Sequence, residues 1–218
     1  MAPLFDLLLA SHNRGKLVEL RALLADLPVE LVSLATALPG QPQAVEDGQT
    51  FLDNARIKAR AAVATTTMVT LAEDAGLEVD ALGGRPGVRS ARFAGEDATD
   101  AANNAALLAA LEEVEEEHRT ARFRCVMVLI DPWGEGEGRE VVAEGTCEGV
   151  IARQPRGAGG FGYDPLFIMP DHGGRTMAEL GEDEKNRESH RARAVASLRP
   201  ALEAVIARRL AAAAKVAI

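Results

Sequence analysis

The chain has 218 residues, 47% hydrophobic and 26% charged, which suits a globular domain with a sizeable core and not a disordered tail. Its 24 Lys and Arg against 33 Asp and Glu give a formal net charge of −9. That balance argues against a broad basic face for DNA or RNA, so any anionic ligand has to meet a local cluster of cations or a metal ion.

An apolar start, residues 1–10, is broken by Asp6 and followed at once by His12, Asn13, Arg14 and Lys16, the reverse of the charge order in a secretory signal. No uncharged apolar run approaches the roughly 18 residues of a membrane-spanning helix. A cytoplasmic protein without a membrane or nucleic-acid partner is expected. Spacing predicts a strand over 5–10, then a helix with Leu17, Leu20, Leu24 and Leu27 on one face. A second strand at 30–34 leads into a loop bearing Pro39, Gly40 and Pro42. A helix over 50–65 follows, with Phe51, Ala55, Ala59 and Ala62 on one side, and a third strand spans 68–72. Strands alternating with helices of this length predict an α/β sheet covered on both faces.

Beyond an irregular loop at Gly83, Gly84, Pro86 and Gly87, a helix is expected over 100–118 through Leu107, Leu108 and Leu111, with residues 112–117 as a solvated acidic face. Residues 122–130 and 139–147 read as a hairpin joined by Asp131-Pro132-Trp133-Gly134, so the sheet is expected to be mixed. Cys125 and Cys147 stand singly inside these two runs, without zinc or disulfide spacing, and read as buried thiols. A glycine-rich loop follows at 153–163. Helix is expected from about residue 182 to the end, kinked or restarted at Pro200, with 210–218 as a frayed tail of a single domain.

Four segments carry candidate chemistry. Ser11-His12-Asn13-Arg14-Gly15-Lys16 lies between a predicted strand and helix, where free helix N–H groups and an ammonium suit a phosphate. Ser11 or Asn13 serving only as a helix cap is the other reading. Asp74 in Glu73-Asp74-Ala75-Gly76 is expected just past the third strand, at the crevice typical of α/β ligand sites, and Glu46 lies ahead of the second helix. Such hard oxygens suit Mg²⁺, although two exposed turn acids would look the same. Gly160-Phe161-Gly162-Tyr163-Asp164 offers an aromatic face to a base, or equally a tight turn with Phe161 in the core. Lys185, His190 and Arg191 supply donors and charge for one acceptor, or else a basic solvated face. His12, His118 and His172 have no metal-ligand spacing and read as surface residues.

In order and spacing, SHNRGKLVEL from Ser11, EDGQTFLDNARIKA from Glu46, EDAGLEVDALGGRPGVRSARFAG from Glu73, NNAALLAAL from Asn103, GGFGYDPLF from Gly159 and EKNRESHR from Glu184 together resemble the Ham1-like inosine triphosphate pyrophosphatases. The resemblance runs from about Leu7 to Leu198. It implies an α/β fold with an elongated mixed β-sheet flanked by helices, two lobes around a nucleotide cleft, and a homodimer. The implied reaction is Mg²⁺-dependent hydrolysis of ITP, dITP or XTP to the monophosphate and pyrophosphate. By position, Asp74 would accept a proton and hold the metal with Glu46, while Ser11, His12, Asn13, Arg14, Gly15, Lys16 and Lys58 would bind the triphosphate. Phe161 would stack on the purine beside Gly162, Tyr163 and Asp164, and Lys185, His190 and Arg191 would contact the nucleotide and read its base. Two departures stand out: Ala75, where the family often has serine, leaves only a backbone contact, and Glu188 replaces a commonly apolar residue. A Maf-like nucleotide pyrophosphatase is the alternative.

Overall fold

The computed structural model describes residues 5–216. Six strands form one sheet in the order β2-β1-β3-β4-β5-β6. They are β1 Phe5–Leu9, β2 Val29–Ser33, β3 Val69–Val79, β4 Thr120–Ile130, β5 Glu140–Ile151 and β6 Phe167–Ile168. β1 pairs in parallel with β2 and with β3, whereas β5 and β6 are antiparallel, so the sheet is mixed as expected. The principal helices are α1 Arg14–Leu23, α2 Leu34–Ala37, α3 Phe51–Val63, α4 Asp100–Ala110, α5 Glu182–Glu188 and α6 His190–Val216.

Residue contacts group the chain into two compact units. Of the described residues, the first contains 5–74, 126–144 and 194–216, and the second contains 75–125 and 145–193. In the first unit, Leu8, Ala10, Ala72, Val128 and Ile130 pack with Ala55, Ala59 and Ala62, which α3 presents on the face read from the sequence. The small side chains let the helix backbone approach the sheet closely. α3 opens on a reciprocal cap: the Asp53 N–H donates to the Thr50 hydroxyl at 3.1 Å and the Thr50 N–H donates to the Asp53 carboxylate at 3.0 Å. In the second unit, Leu77, Val79, Leu107, Leu111, Phe123, Cys147, Tyr163 and Phe167 form a separate core. Both cysteines are buried thiols, and burial pushes the Cys147 thiol up to about 11.

Several elements differ from the sequence reading. α1 stops at Leu23, short of Leu27, which precedes Pro28 and is disfavoured in helical backbone for that reason. β3 continues to Val79, so Glu73 and Asp74 lie inside the strand and not after it. β1, however, ends at Leu9 opposite Leu71, so both acids still stand just beyond the carboxyl end of β1. α4 ends at Ala110, short of residue 118. The buried Arg119 guanidinium donates to the carbonyls of Leu111, Ile151 and Ala152 at 2.6, 2.9 and 3.1 Å, and so pulls the chain out of the helix. The C-terminal helical stretch breaks at Ser189, whose hydroxyl accepts the Ala192 N–H at 3.1 Å, and α6 runs through Pro200. Of the segment expected to fray, 210–216 form the end of α6, and 217 and 218 lie outside the described residues. His172 is not a free surface residue: its Nε2 lies 3.1 Å from the Glu188 carboxylate.

The cap on α3 sets the helix that carries Asn54 and Lys58. Thr50→Ala is therefore expected to lower stability by about 1 kcal/mol. For a chain of this size that corresponds to a drop of about 2–4 °C in the thermal unfolding midpoint, read by calorimetry.

Candidate active site

In the first unit β1 has β2 on one side and β3 on the other, so its carboxyl end is a point where the chain connections diverge, the usual ligand crevice of an open α/β sheet. The segment from Ser11 to Lys16 leaves β1 here. Ser11 Oγ accepts the Asn13 N–H at 3.1 Å, and Asn13 Oδ1 accepts the Lys16 N–H at 3.1 Å, so both residues shape the start of α1. His12, Asn13 and Arg14 are exposed, and Gly15 and Lys16 are half-buried. This helix start presents backbone N–H groups and a basic side chain beyond the carboxyl end of β1.

Behind it lies a charge cluster. Lys58 Nζ donates to Asp74 Oδ1 at 2.8 Å and to Glu46 Oε2 at 3.0 Å. Lys16 Nζ is 3.1 Å from Glu73 Oε1, and the Glu73 side chain is wholly buried. Asn54, one helical turn before Lys58, donates from Nδ2 to Asp74 Oδ2 at 3.2 Å and accepts the Gly48 N–H at 2.9 Å. That pair of bonds ties α3 to the loop bearing Glu46 and to β3 at once. Gln43 Nε2 donates to the other Glu46 oxygen at 3.1 Å. The sequence reading gave Asn54 and Glu73 no role, though the four-residue spacing of Asn54 and Lys58 already put both on one helix face.

Burial works against the charge of Lys58, yet the Asp74 and Glu46 carboxylates hold its ammonium above the usual range. For Glu46 burial is likewise opposed, and outweighed, by Lys58, which keeps its carboxyl below the usual value. Burial lifts the Asp74 carboxyl above the ordinary value against the pull of Lys58 and Lys16, which makes Asp74 the readier proton acceptor of the two.

The second unit gathers a different set. Phe161 N–H donates to Asp164 Oδ2 at 3.0 Å, and Lys185 Nζ donates to the same oxygen at 2.6 Å. The Lys185 ammonium and the Arg191 guanidinium stand 5.1 and 5.6 Å from the Phe161 ring centre, within cation–π range. Gly160 has φ +71°, and a Cβ there would run into the Asp164 carboxylate, so the turn requires glycine. Tyr163 points the other way, into the core, and its hydroxyl donates to the Ser90 carbonyl at 2.8 Å. His190 stacks on Phe123 at 4.8 Å and 16°. Lys185, His190 and Arg191 are all buried, so none of them is part of a solvated basic face. Ala75 is a half-buried residue of β3 next to Asp74.

The sequence model of the Ham1 family matches residues 7–201. The dITP/XTP pyrophosphatase of Desulforamulus reducens is 53% identical over 189 residues, 87% of this chain and 91% of the relative. That of Geobacter sulfurreducens is 50% identical over 88% of this chain and 94% of the relative. Among solved structures, the HAM1 protein of Coxiella burnetii aligns with a TM-score of 0.80 at 42% identity, covering 91% of this chain and 98% of that one. A nucleoside-triphosphatase, dITP/XTP pyrophosphatase, from Mycobacterium abscessus aligns with a TM-score of 0.69 at 49% identity, covering 88% of this chain and 98% of its own.

Removing the ammonium from between two buried carboxylates leaves charge uncompensated. Lys58→Met is expected to destabilise the fold by about 3–5 kcal/mol in urea unfolding. Adding Glu46→Gln and Asp74→Asn to that variant should recover most of the loss, because the residual repulsion disappears with the charges.

Proposed function

The chain belongs to the Ham1 family, and we propose that its two side-chain clusters serve the hydrolysis of noncanonical purine nucleoside triphosphates to the monophosphate and pyrophosphate. The protein is a hydrolase of the dITP/XTP pyrophosphatase type, with ITP, dITP and XTP as substrates. About 50% identity to dITP/XTP pyrophosphatases over nine-tenths of the chain carries this conclusion. The cluster of Glu46, Lys58 and Asp74 beyond β1 supplies the chemistry that such a reaction needs.

The reading includes Mg²⁺, held by Asp74 and Glu46. Their oxygens converge on one cation already, at 2.8 and 3.0 Å from Lys58 Nζ. Among the described residues no three His, Cys, Asp or Glu side chains gather into a ready metal cage. Two carboxylates with the remaining positions left to water and phosphate is the usual arrangement for this ion. When bound, Mg²⁺ supplies positive charge where the phosphate oxygens become more negative. Lys16, Lys58 and the helix start at Ser11 to Lys16 bind the triphosphate. Asp74 takes the proton of the attacking water as the bond between the α- and β-phosphates breaks and pyrophosphate leaves. In the second unit Phe161 stacks on the purine, Gly162, Tyr163 and Asp164 complete that wall through their backbone, and Lys185 contacts the nucleotide.

His190 and Arg191 read the base through hydrogen-bond polarity. Hypoxanthine and xanthine present an acceptor oxygen at C6, and adenine presents a donor amine there. A buried donor left facing another donor costs roughly 1–3 kcal/mol. The two units form one functional domain in this reading, since β3, β4 and β5 each pass from one unit into the other. The resemblance to the family further implies a homodimer in the cytoplasm. No described helix is long and apolar enough to cross a membrane.

A panel of purine and pyrimidine triphosphates assayed with Mg²⁺ for pyrophosphate release tests the function. Turnover is expected for ITP, dITP and XTP and is expected to vanish under chelation. Monophosphate with inorganic phosphate as products, or a preference for pyrimidines, would overturn it. Asp74→Asn is expected to abolish pyrophosphate release while ITP still binds, and normal release would remove Asp74 from its role. His190→Ala and Arg191→Ala are each expected to narrow the ITP over ATP ratio of kcat/KM by about tenfold, on a loss of roughly 1.4 kcal/mol of discrimination. An unchanged ratio in both would move base reading elsewhere.

A further inference from the structure

The Phe161 loop is held from a helix that the proposed chemistry does not use. Gly162 has φ +62°, left-handed backbone in an otherwise open space, and both of its polar groups meet the first two turns of α4. The Gly162 N–H donates to Asp100 Oδ2 at 2.8 Å, and the Gly162 carbonyl accepts from Asn104 Nδ2 at 2.9 Å. Asp100 and Asn104 are four residues apart and share one helix face. Asp100 sits where the helix dipole favours a carboxylate, and Thr99 caps the same turn by accepting the Ala102 N–H at 3.2 Å.

The Gly162 N–H belongs to the peptide that joins it to Phe161, so Asp100 fixes the torsion after the Phe161 Cα. Asp164 accepts the Phe161 N–H at 3.0 Å and fixes the torsion before it. Phe161 is thus pinned on both sides, and Asp100 and Asp164 together set the direction in which its Cα–Cβ bond leaves the backbone. Asn104 is only 8% exposed, and its Oδ1 is buried without a hydrogen-bond partner. The carbonyl of Gly162 can only accept, so the amide nitrogen has to face it and the oxygen is left over. An amide kept in place with half of its bonding unmet is explained by the one bond that it does make.

We propose that Asp100 and Asn104 are positioning residues that clamp Gly162 and thereby aim the Phe161 ring at the purine. The proposal rests on the reading of Phe161 as the stacking surface. Neither residue touches the polyphosphate cluster, so the clamp acts on nucleotide binding and base preference and leaves the bond-breaking step alone.

Steady-state kinetics with ITP and ATP separate the outcomes. In Asp100→Ala and Asn104→Leu, KM for ITP is expected to rise about fivefold to tenfold with kcat within about twofold, because ground-state and transition-state binding are lost together. The ITP over ATP ratio of kcat/KM should fall with it. Asp100→Asn keeps an acceptor oxygen for the Gly162 N–H and is expected to restore KM to near the wild-type value. Asp100 is exposed, so its variants fold even if the buried Asn104→Leu does not. Phe161→Ala, run alongside, is expected to raise KM by at least as much. If Phe161→Ala raises KM and Asp100→Ala does not, the clamp is refuted and the stacking reading stands. If Phe161→Ala leaves KM unchanged, the stacking reading falls and the clamp falls with it.

Discussion

The ammonium of Lys58, shared between Glu46 and Asp74 at 3.0 and 2.8 Å, is the interaction on which the first unit depends. Burying two carboxylates alone would cost several kcal/mol each, and only a well-placed cation makes their charged forms tolerable. Placement in turn depends on α3: its cap at Thr50 fixes where the helix begins, its alanines let it lie close to the sheet, and Asn54 locks the neighbouring loop and strand. The same contacts therefore hold the fold together and place the side chains proposed to react.

Charge arithmetic explains how a molecule of net charge −9 handles a polyanion. Glu46, Glu73 and Asp74 carry three negative charges against two positive ones on Lys16 and Lys58, leaving one negative charge in the cluster. That residue favours a divalent cation over an isolated phosphate. A divalent cation held by Asp74 and Glu46, as proposed, would turn that balance to one positive, a charge suited to phosphate oxygens. On the proposed reading, such acidic surroundings would favour a phosphate chain that arrives with its metal over one that arrives without it.

Much of this was legible in the chain. The period of Phe51, Ala55, Ala59 and Ala62 revealed the buried face of α3, and Asp74, Phe161 and Lys185 stood out as candidates by residue type, whereas Lys58 entered only through the resemblance to the Ham1 family. What local pattern does not reveal is a partner supplied from elsewhere. Two adjacent acids look like the end of a strand, yet they lie inside β3, where Lys16 and Lys58 reach them from distant segments. α4 looks continuous to residue 118 until Arg119 claims the Leu111 carbonyl, and Pro200 looks like a break that the chain instead makes at Ser189. Lys185, His190 and Arg191 read equally well as a wet basic face, because their burial follows from tertiary packing and not from sequence periodicity.

Polyphosphate chemistry is blind to the base, since ITP and ATP carry the same tail. On the proposed reading selectivity comes from Phe161, Lys185, His190 and Arg191 in the second unit, and there it would require stiffness. A donor rejects adenine only if it cannot turn aside or admit water, and the penalty of roughly 1–3 kcal/mol per unpaired donor is lost whenever the wall relaxes. The 2.6 Å pair of Lys185 with Asp164, the stacking of His190 on Phe123 and the two-sided pinning of Phe161 are all devices against such relaxation. Two rigid donors suffice for about 10²-fold discrimination or more at 1.4 kcal/mol per decade, whereas the same residues on a mobile loop would bind any purine. Guanine shares the C6 oxygen, so this polarity rule does not act on it, and any discrimination against guanine would have to arise around C2 of the base.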